Sequence, residues 1–135
     1  MAPKATPENI TTLEPNQVMV FGSNLAGRHG KGAALLACEK FGAMPGVGRG
    51  PTGQCYALPT KGWRLETLPL EIIGRHVGRF IEFAREYPSK EFLVTAVGCG
   101  LAAYTPEQIA PLFLRHEIPP NVSLPARFWA LKQNG

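Results

Sequence analysis

The sequence predicts a layered α/β domain on a central, mostly parallel or mixed sheet flanked by helices, and three observations carry that prediction. Short apolar runs alternate with stretches of helical periodicity along most of the chain. Each clear strand run leads through a Gly- or Pro-rich turn into a helical stretch, the order that builds a parallel sheet with helices on its faces. The length, 135 residues, suits one domain with a proper hydrophobic core.

Taken in order, the run 17–21 (QVMVF) reads as a buried strand. Residues 31–41 read as a helix, because Ala33, Leu36, Ala37 and Phe41 recur at helical spacing and Gly42 can close it. The stretch 43–53 is too rich in Gly and Pro for anything but loop. A short strand over 55–58 (CYAL) halts at Pro59, and a loop follows over 60–68. Pro69 then marks the first turn of a long helix. Leu70, Ile73, Val77, Phe80, Ile81 and Ala84 form its apolar stripe, and Arg75, Arg79, Glu82 and Arg85 its wet side. Tyr87 and Pro88 end it.

The run 92–97 (FLVTAV) is apolar almost throughout, as a strand covered on both faces should be. Thr105 is a natural N-cap, with Pro106 at the first helical position and Gln108 placed for a capping box. Ile109, Leu112 and Phe113 then face the core, and 122–124 is a last short strand. The chain 1–135 is expected to form one domain, with 1–15 and 126–135 peripheral.

Composition narrows the function classes. No apolar run approaches the roughly 20 residues that span a bilayer, and nothing in 1–15 resembles a signal peptide, so a cytosolic protein with no membrane partner is expected. Cys38, Cys55 and Cys99 are an odd number with no close pair, which argues against a disulfide framework and a zinc site. No metal and no resident cofactor is expected. A net charge of +4 suits a phosphate-bearing partner, yet the surplus is scattered, and nucleic acid is the lesser expectation. All ten acidic residues are glutamate, so any mechanism works without aspartate.

In parallel sheets, ligands bind outside the carboxyl ends of the strands. The first strand ends in Gly22, Ser23 and Asn24 and passes through Gly27, Arg28, His29, Gly30, Lys31 and Gly32 into a helix. Closely spaced glycines let backbone N–H groups point outward, and a helix N-terminus adds partial positive charge, which together suit a phosphate. Glycines serving tight strand–helix packing are the alternative reading. The second strand leads to Pro59, Thr60, Lys61, Gly62 and Trp63, and the third to Gly98, Cys99, Gly100 and Leu101. Two glycine cradles and a lysine in one crevice fit a ligand carrying a diphosphate.

These residues together resemble the ADP-ribose-binding macro domains. They are closest to the branch of DNA ADP-ribosyl glycohydrolase antitoxins and terminal ADP-ribose protein glycohydrolases. Asn24 followed by Gly30, Lys31 and Gly32 is similar to that branch's first ligand loop. Ala57, Leu58, Pro59, Thr60 and Lys61 are similar to its Thr-Lys segment, and Val97, Gly98, Cys99, Gly100 and Leu101 to its second ligand loop. The resemblance spans about residues 17–115.

It implies a macro-domain-like layering and a nucleotide along the crest of the sheet. The ligand would be gripped by Ser23, Gly30, Lys31, Gly32, Thr60, Gly98, Cys99, Gly100 and Leu101, with Asn24 near the distal ribose. In hydrolytic members the lysine attacks or stabilises the anomeric carbon, which makes Lys61 the catalytic candidate. Some members carry an aspartate just after the second loop, where this chain has Ala102 and Ala103, and the early aspartate that holds the adenine amino group is also missing.

The expected function is binding of ADP-ribose or a related NAD-derived nucleotide, with cleavage of an ADP-ribosyl link to protein or nucleic acid assigned to Lys61. A module that only sequesters or senses such a nucleotide, as a regulatory or host–phage conflict protein would, is the rival. An RNA-binding α/β domain is the third reading. Trp63, Tyr104, Phe128 and Trp129 are candidates to stack on adenine, with Tyr104, directly after the second loop, preferred. His29 reads equally as a phosphate contact or an exposed loop residue, and His76 and His116 as structural. Cys99 has no identifiable base beside it and is expected to act through its backbone.

Overall fold

Alternation at every second residue decides the architecture. In β2 (Gln17–Asn24), Val18 and Val20 enter one apolar cluster while Met19 and Phe21 enter another. In β4 (Cys55–Lys61), Tyr56 and Leu58 join the first cluster, and Cys55 and Ala57 the second. Both strands are therefore buried on both faces, and helices must cover each. The computed structural model describes residues 4–132, and among them the cover is unequal. The helices α2 (Leu70–Glu86), α3 (Pro106–Leu114) and α4 (Ala126–Lys132) contribute to the first cluster. On the other face stand α1 (Gly32–Lys40) and the side chains of Ile10 and Leu13.

The sheet is completed by β1 (Ala5–Thr6), β3 (Gly50–Thr52), β5 (Glu91–Val94) and β6 (Val122–Pro125), in the order β1-β6-β5-β2-β4-β3. Every pairing is parallel except that of β3 with β4, so this is a mixed α/β sheet. The carboxyl ends of the five parallel strands share one edge. No helix among the described residues is long and apolar enough to cross a membrane.

The elements depart from the sequence expectation at four places. The stretch 43–53, expected as pure loop, contains β3, whose Pro51 sits on the outermost strand where a missing N–H is tolerated. Pro59 does not halt β4. The strand β3 pairs only with Cys55, Tyr56 and Ala57, so Pro59 lies beyond it, and β4 runs on beside β2 to Lys61. The strand expected over 92–97 starts at Glu91 and ends at Val94, although the Thr95 N–H and hydroxyl still donate to the Val20 carbonyl at 3.0 and 2.7 Å. Two segments expected to be peripheral also take a defined place. Ala5 and Thr6 pair with Leu124 and Pro125, and α4 delivers Phe128 fully buried to the first cluster.

The long helix and the capped one match their patterns. The α2 stripe buries Ile73, Val77, Phe80, Ile81 and Ala84, and the Gln108 carboxamide accepts from the Thr105 N–H at 3.0 Å.

Two histidines are expected to make the fold sensitive to acid. Burial, with the charges of Arg79 and Arg49, pulls the pKa of His76 below its ordinary 6.5. Burial, with Arg115 and Arg85, does the same for His116 against an opposing pull from Glu82, and its Nε2 is buried with no partner. In both cases folding favours the neutral ring. Their contribution is therefore complete above about pH 6.5 and is lost as the pH falls below it toward the folded values, because the unfolded chain then binds more protons. The melting temperature should fall between about pH 7.5 and 5.5, before most carboxylates titrate. The slope should flatten in a His76→Gln, His116→Gln variant even if that variant melts lower throughout. An unchanged slope would refute this assignment.

Candidate functional site

The loops after β2, β4 and β5 meet at the carboxyl edge and are fastened to one another. Ser23 is buried and its hydroxyl donates to the Gly48 carbonyl, while the Thr60 hydroxyl donates to the Ser23 carbonyl at 3.3 Å. Asn24 stands opposite Lys61 in the β2–β4 register, and the Leu25 N–H donates to the Lys61 carbonyl at 3.0 Å. The loop after β5 is held to the loop after β4 by the Thr67 hydroxyl on the Ala102 carbonyl at 3.3 Å. The Tyr104 hydroxyl on the Leu68 carbonyl at 2.7 Å adds a second tie. Lys61 is half-exposed at the end of β4, beside the first loop.

The glycines divide into two groups. A Cβ at Gly27 would fall 2.3 Å from the Gly46 carbonyl carbon, and one at Gly48 would fall 2.1 Å from the Asn24 oxygen, so these two glycines interlock the 24–28 and 46–48 loops. Gly98, with φ at +76°, would meet Ile109 Cδ1 at 2.7 Å. For these three the packing explanation holds. Gly30, Gly32 and Gly100 are different, since a Cβ at any of them would meet nothing within 4 Å. Open space over two glycine loops is what close backbone approach of a ligand needs. The α1 N-terminus beside it is uncapped: Lys31 occupies the cap position with no side-chain hydrogen bond to the helix.

A cavity of about 580 Å³ lies at this same edge on the α1 face. Its walls come from the chain after β1 (Thr6 to Thr11), from Met19, and from Ala33, Leu36 and Lys40 of α1. Thr95 and Ala96 after β5, and Pro125, Ala126 and Arg127 where β6 becomes α4, close it. It exists because α1 alone does not cover that face. Its volume falls within the roughly 300–1,000 Å³ of small-molecule pockets. Apolar and polar residues share its lining about equally, with Glu8, Lys40 and Arg127 as its charges.

None of the site residues expected from sequence lines this cavity directly. Instead the cavity adjoins them in the chain: Ala33 follows Gly32, and Ala96 stands two residues before Gly98. The strand order β6-β5-β2-β4 then lays out the edge in sequence. The cavity lies at β6 and β5, the Gly98–Leu101 turn follows β5, Asn24 and the Gly30–Gly32 turn follow β2, and Lys61 ends β4. Three strand spacings span about 14 Å.

Several side chains play other parts than expected. The Asn24 amide closes its own loop, donating to the Arg28 carbonyl at 2.8 Å and accepting the Arg28 N–H at 2.9 Å, which leaves it one N–H and one lone pair for a ligand. His29 is buried rather than exposed. Its Nε2 donates to the Val47 carbonyl at 3.1 Å, its ring meets Phe21 edge-on, and its Nδ1 has no partner.

Of the aromatic candidates, Phe128 is in the core, and Trp129 Nε1 donates to the Lys4 carbonyl at 2.8 Å. Tyr104 packs against the helix-rich cluster, on the face opposite the cavity. Trp63 is 71% exposed and free. Burial pushes the Cys99 thiol up, only partly opposed by Arg127 and reinforced by Glu107, so it is not a thiolate at neutral pH.

The cavity residues of the chain 6–11, with Lys40 and Arg127, were not foreseen. They come from distant segments with no shared motif, and only the sheet order brings them together. Compared with protein-family models, with curated proteins and with solved structures, the chain matches none.

A glycine test follows from the open space. Gly30→Val meets no neighbour and needs no left-handed backbone, so it should leave the melting temperature nearly unchanged while filling the cradle. Gly32→Val fills it too, but at φ +60° it should also destabilise by about 1–2 kcal/mol. Nucleotide affinity unchanged in a folded Gly30→Val protein would make the loop a turn and nothing more.

Proposed function

We propose that the protein binds ADP-ribose or a related NAD-derived nucleotide along the carboxyl edge of its sheet, in a macro-domain-like arrangement. The observation that carries this reading is the order of features on the edge. A cavity of a size to take a base comes first, then two glycine turns with open space above them, then Asn24 and Lys61 side by side. A base, a diphosphate and a distal ribose occur in that order in one ligand. Arg127 and Lys40 stand in the cavity wall as its cations.

The binding-only form of this reading is favoured by a specific observation. No aspartate exists in the chain, and Ala102 and Ala103 stand where related hydrolases place one. Lys61 is the residue on which cleavage of the glycosidic bond would depend.

Thermal denaturation with ADP-ribose, ADP, NAD and AMP tests the reading. At a hundredfold excess over its dissociation constant a ligand stabilises the native state by about 2.7 kcal/mol, a rise of roughly 5–10 °C for a domain of this size. ADP-ribose should reach that rise at concentrations where AMP produces a small fraction of it. Equal shifts from both, or none, would overturn the diphosphate reading.

A further inference from the structure

The wall of the cavity formed by residues 7–13 is unlike the rest. Upstream it hangs from β1, where the Lys4 carbonyl accepts from the Leu124 N–H at 3.1 Å and from Trp129 Nε1 at 2.8 Å. Downstream it is fastened at Glu14, whose carbonyl accepts from Gln54 Nε2 at 2.8 Å and whose N–H donates to the Gln17 carboxamide at 2.8 Å. Between these anchors, none of the loop or side-chain hydrogen bonds found among the described residues involves residues 7–13. Only Ile10 and Leu13 hold the segment, half-buried against the smaller apolar cluster.

The hinge carries a second sign. The Thr6 hydroxyl, where β1 gives way to this segment, is buried without a partner. Buried polar atoms are almost always satisfied in a settled structure. This one has no accessible surface, and it stays unpaired unless its side chain or the segment after it moves. Two firm anchors, a weakly held middle and an orphaned hydroxyl at the hinge describe an element with more than one arrangement.

We infer that residues 7–13 form a strap that opens to admit the ligand and closes over it, becoming ordered only in the complex. This rests on the nucleotide reading of the cavity. The strap supplies a large part of the cavity wall, including its only carboxylate, Glu8, so a ligand held there contacts the strap directly. Ligand contact then adds what the free strap lacks, and the closed arrangement gains population by that differential affinity. Segments that are thinly held are where such motions are found.

Backbone ¹⁵N relaxation on the full chain, free and with saturating ADP-ribose, tests the strap. In the free protein the amides of Glu8, Asn9 and Thr11 should show order parameters below about 0.6, against about 0.85 for Val20 in β2, and should approach the sheet value in the complex. Ile10→Ala should speed ligand release several-fold while leaving the Val20 amide unshifted. A strap already as ordered as Val20 in the free protein overturns the inference whatever the ligand does. Ligand-induced shifts at Gly32 and Thr95 with a strap that stays mobile overturn the strap and leave the nucleotide reading standing. No shift anywhere with ADP-ribose overturns the nucleotide reading, and the strap falls with it.

Discussion

Phe128→Ala is expected to lower the free energy of unfolding by about 3–5 kcal/mol, the range for truncating a buried aromatic. The side chain is fully buried, and its ring lies 5.9 Å from that of Phe113 on α3. Removing it opens a void between α3 and α4, and it also takes away the one buried residue that docks α4. The neighbouring Trp129, through its bond to the Lys4 carbonyl, links that helix to β1, so the loss spreads to the edge of the sheet that carries the cavity. With native stability of order 5–15 kcal/mol, such a loss amounts to roughly 10–20 °C in melting temperature. A drop of only a degree or two would mean that α4 is dispensable and the first apolar cluster closes without it.

The contrast between α4 and α2 explains which parts of the fold were legible. In α2 six apolar residues recur at helical spacing over 17 residues, and a regular stripe of that length has one physical solution. The seven residues of α4 bury a single side chain, too few for any period to show. The strand β3 reads as loop because Gly50 and Pro51 disfavour a strand locally, and only the neighbouring edge of β4 imposes one. Pro59 shows the same override, since whether a proline ends a strand depends on what lies beside it.

The candidate site divides along the same line. Loops that follow strands can be found from glycine and lysine spacing, because parallel strands place their ends together. Sequence could not say which glycines interlock and which lie open: Gly27 packs against Gly46 in a left-handed conformation, while Gly30 faces open space. Nor could it reveal that the Asn24 amide closes its own loop or that His29 is turned inward. The cavity was invisible for a further reason. It is a shortage of cover on one face, and a shortage leaves no motif.

Lys61→Ala is expected to have the largest effect on chemistry, if an ADP-ribosylated substrate is turned over at all. A residue that acts on the reacting bond in the transition state lowers kcat and kcat/KM together, by at least about 10²-fold when removed. Lys61 ends β4, opposite Asn24 and at the far end of the edge from the cavity. Lys61→Arg separates the two parts the amine can play. A guanidinium keeps the positive charge but offers no free amine near neutral pH, so attack on the anomeric carbon fails in both variants. Simple balancing of phosphate charge is largely rescued by arginine, and the alanine loss then appears in affinity. The companion variant is set by the backbone. Ala102 is buried, and its carbonyl holds Thr67, so a carboxylate there would be desolvated. Ala103 is exposed with φ at +68°, a conformation aspartate adopts more readily than alanine, so Ala103→Asp offers a solvated candidate base at little structural cost. Slow turnover in the wild type, faster in Ala103→Asp and absent in Lys61→Ala would establish a weak hydrolase. Tight ADP-ribose binding with no turnover in the wild type or in Ala103→Asp would establish a binding module, and full rate in Lys61→Ala would refute the lysine mechanism.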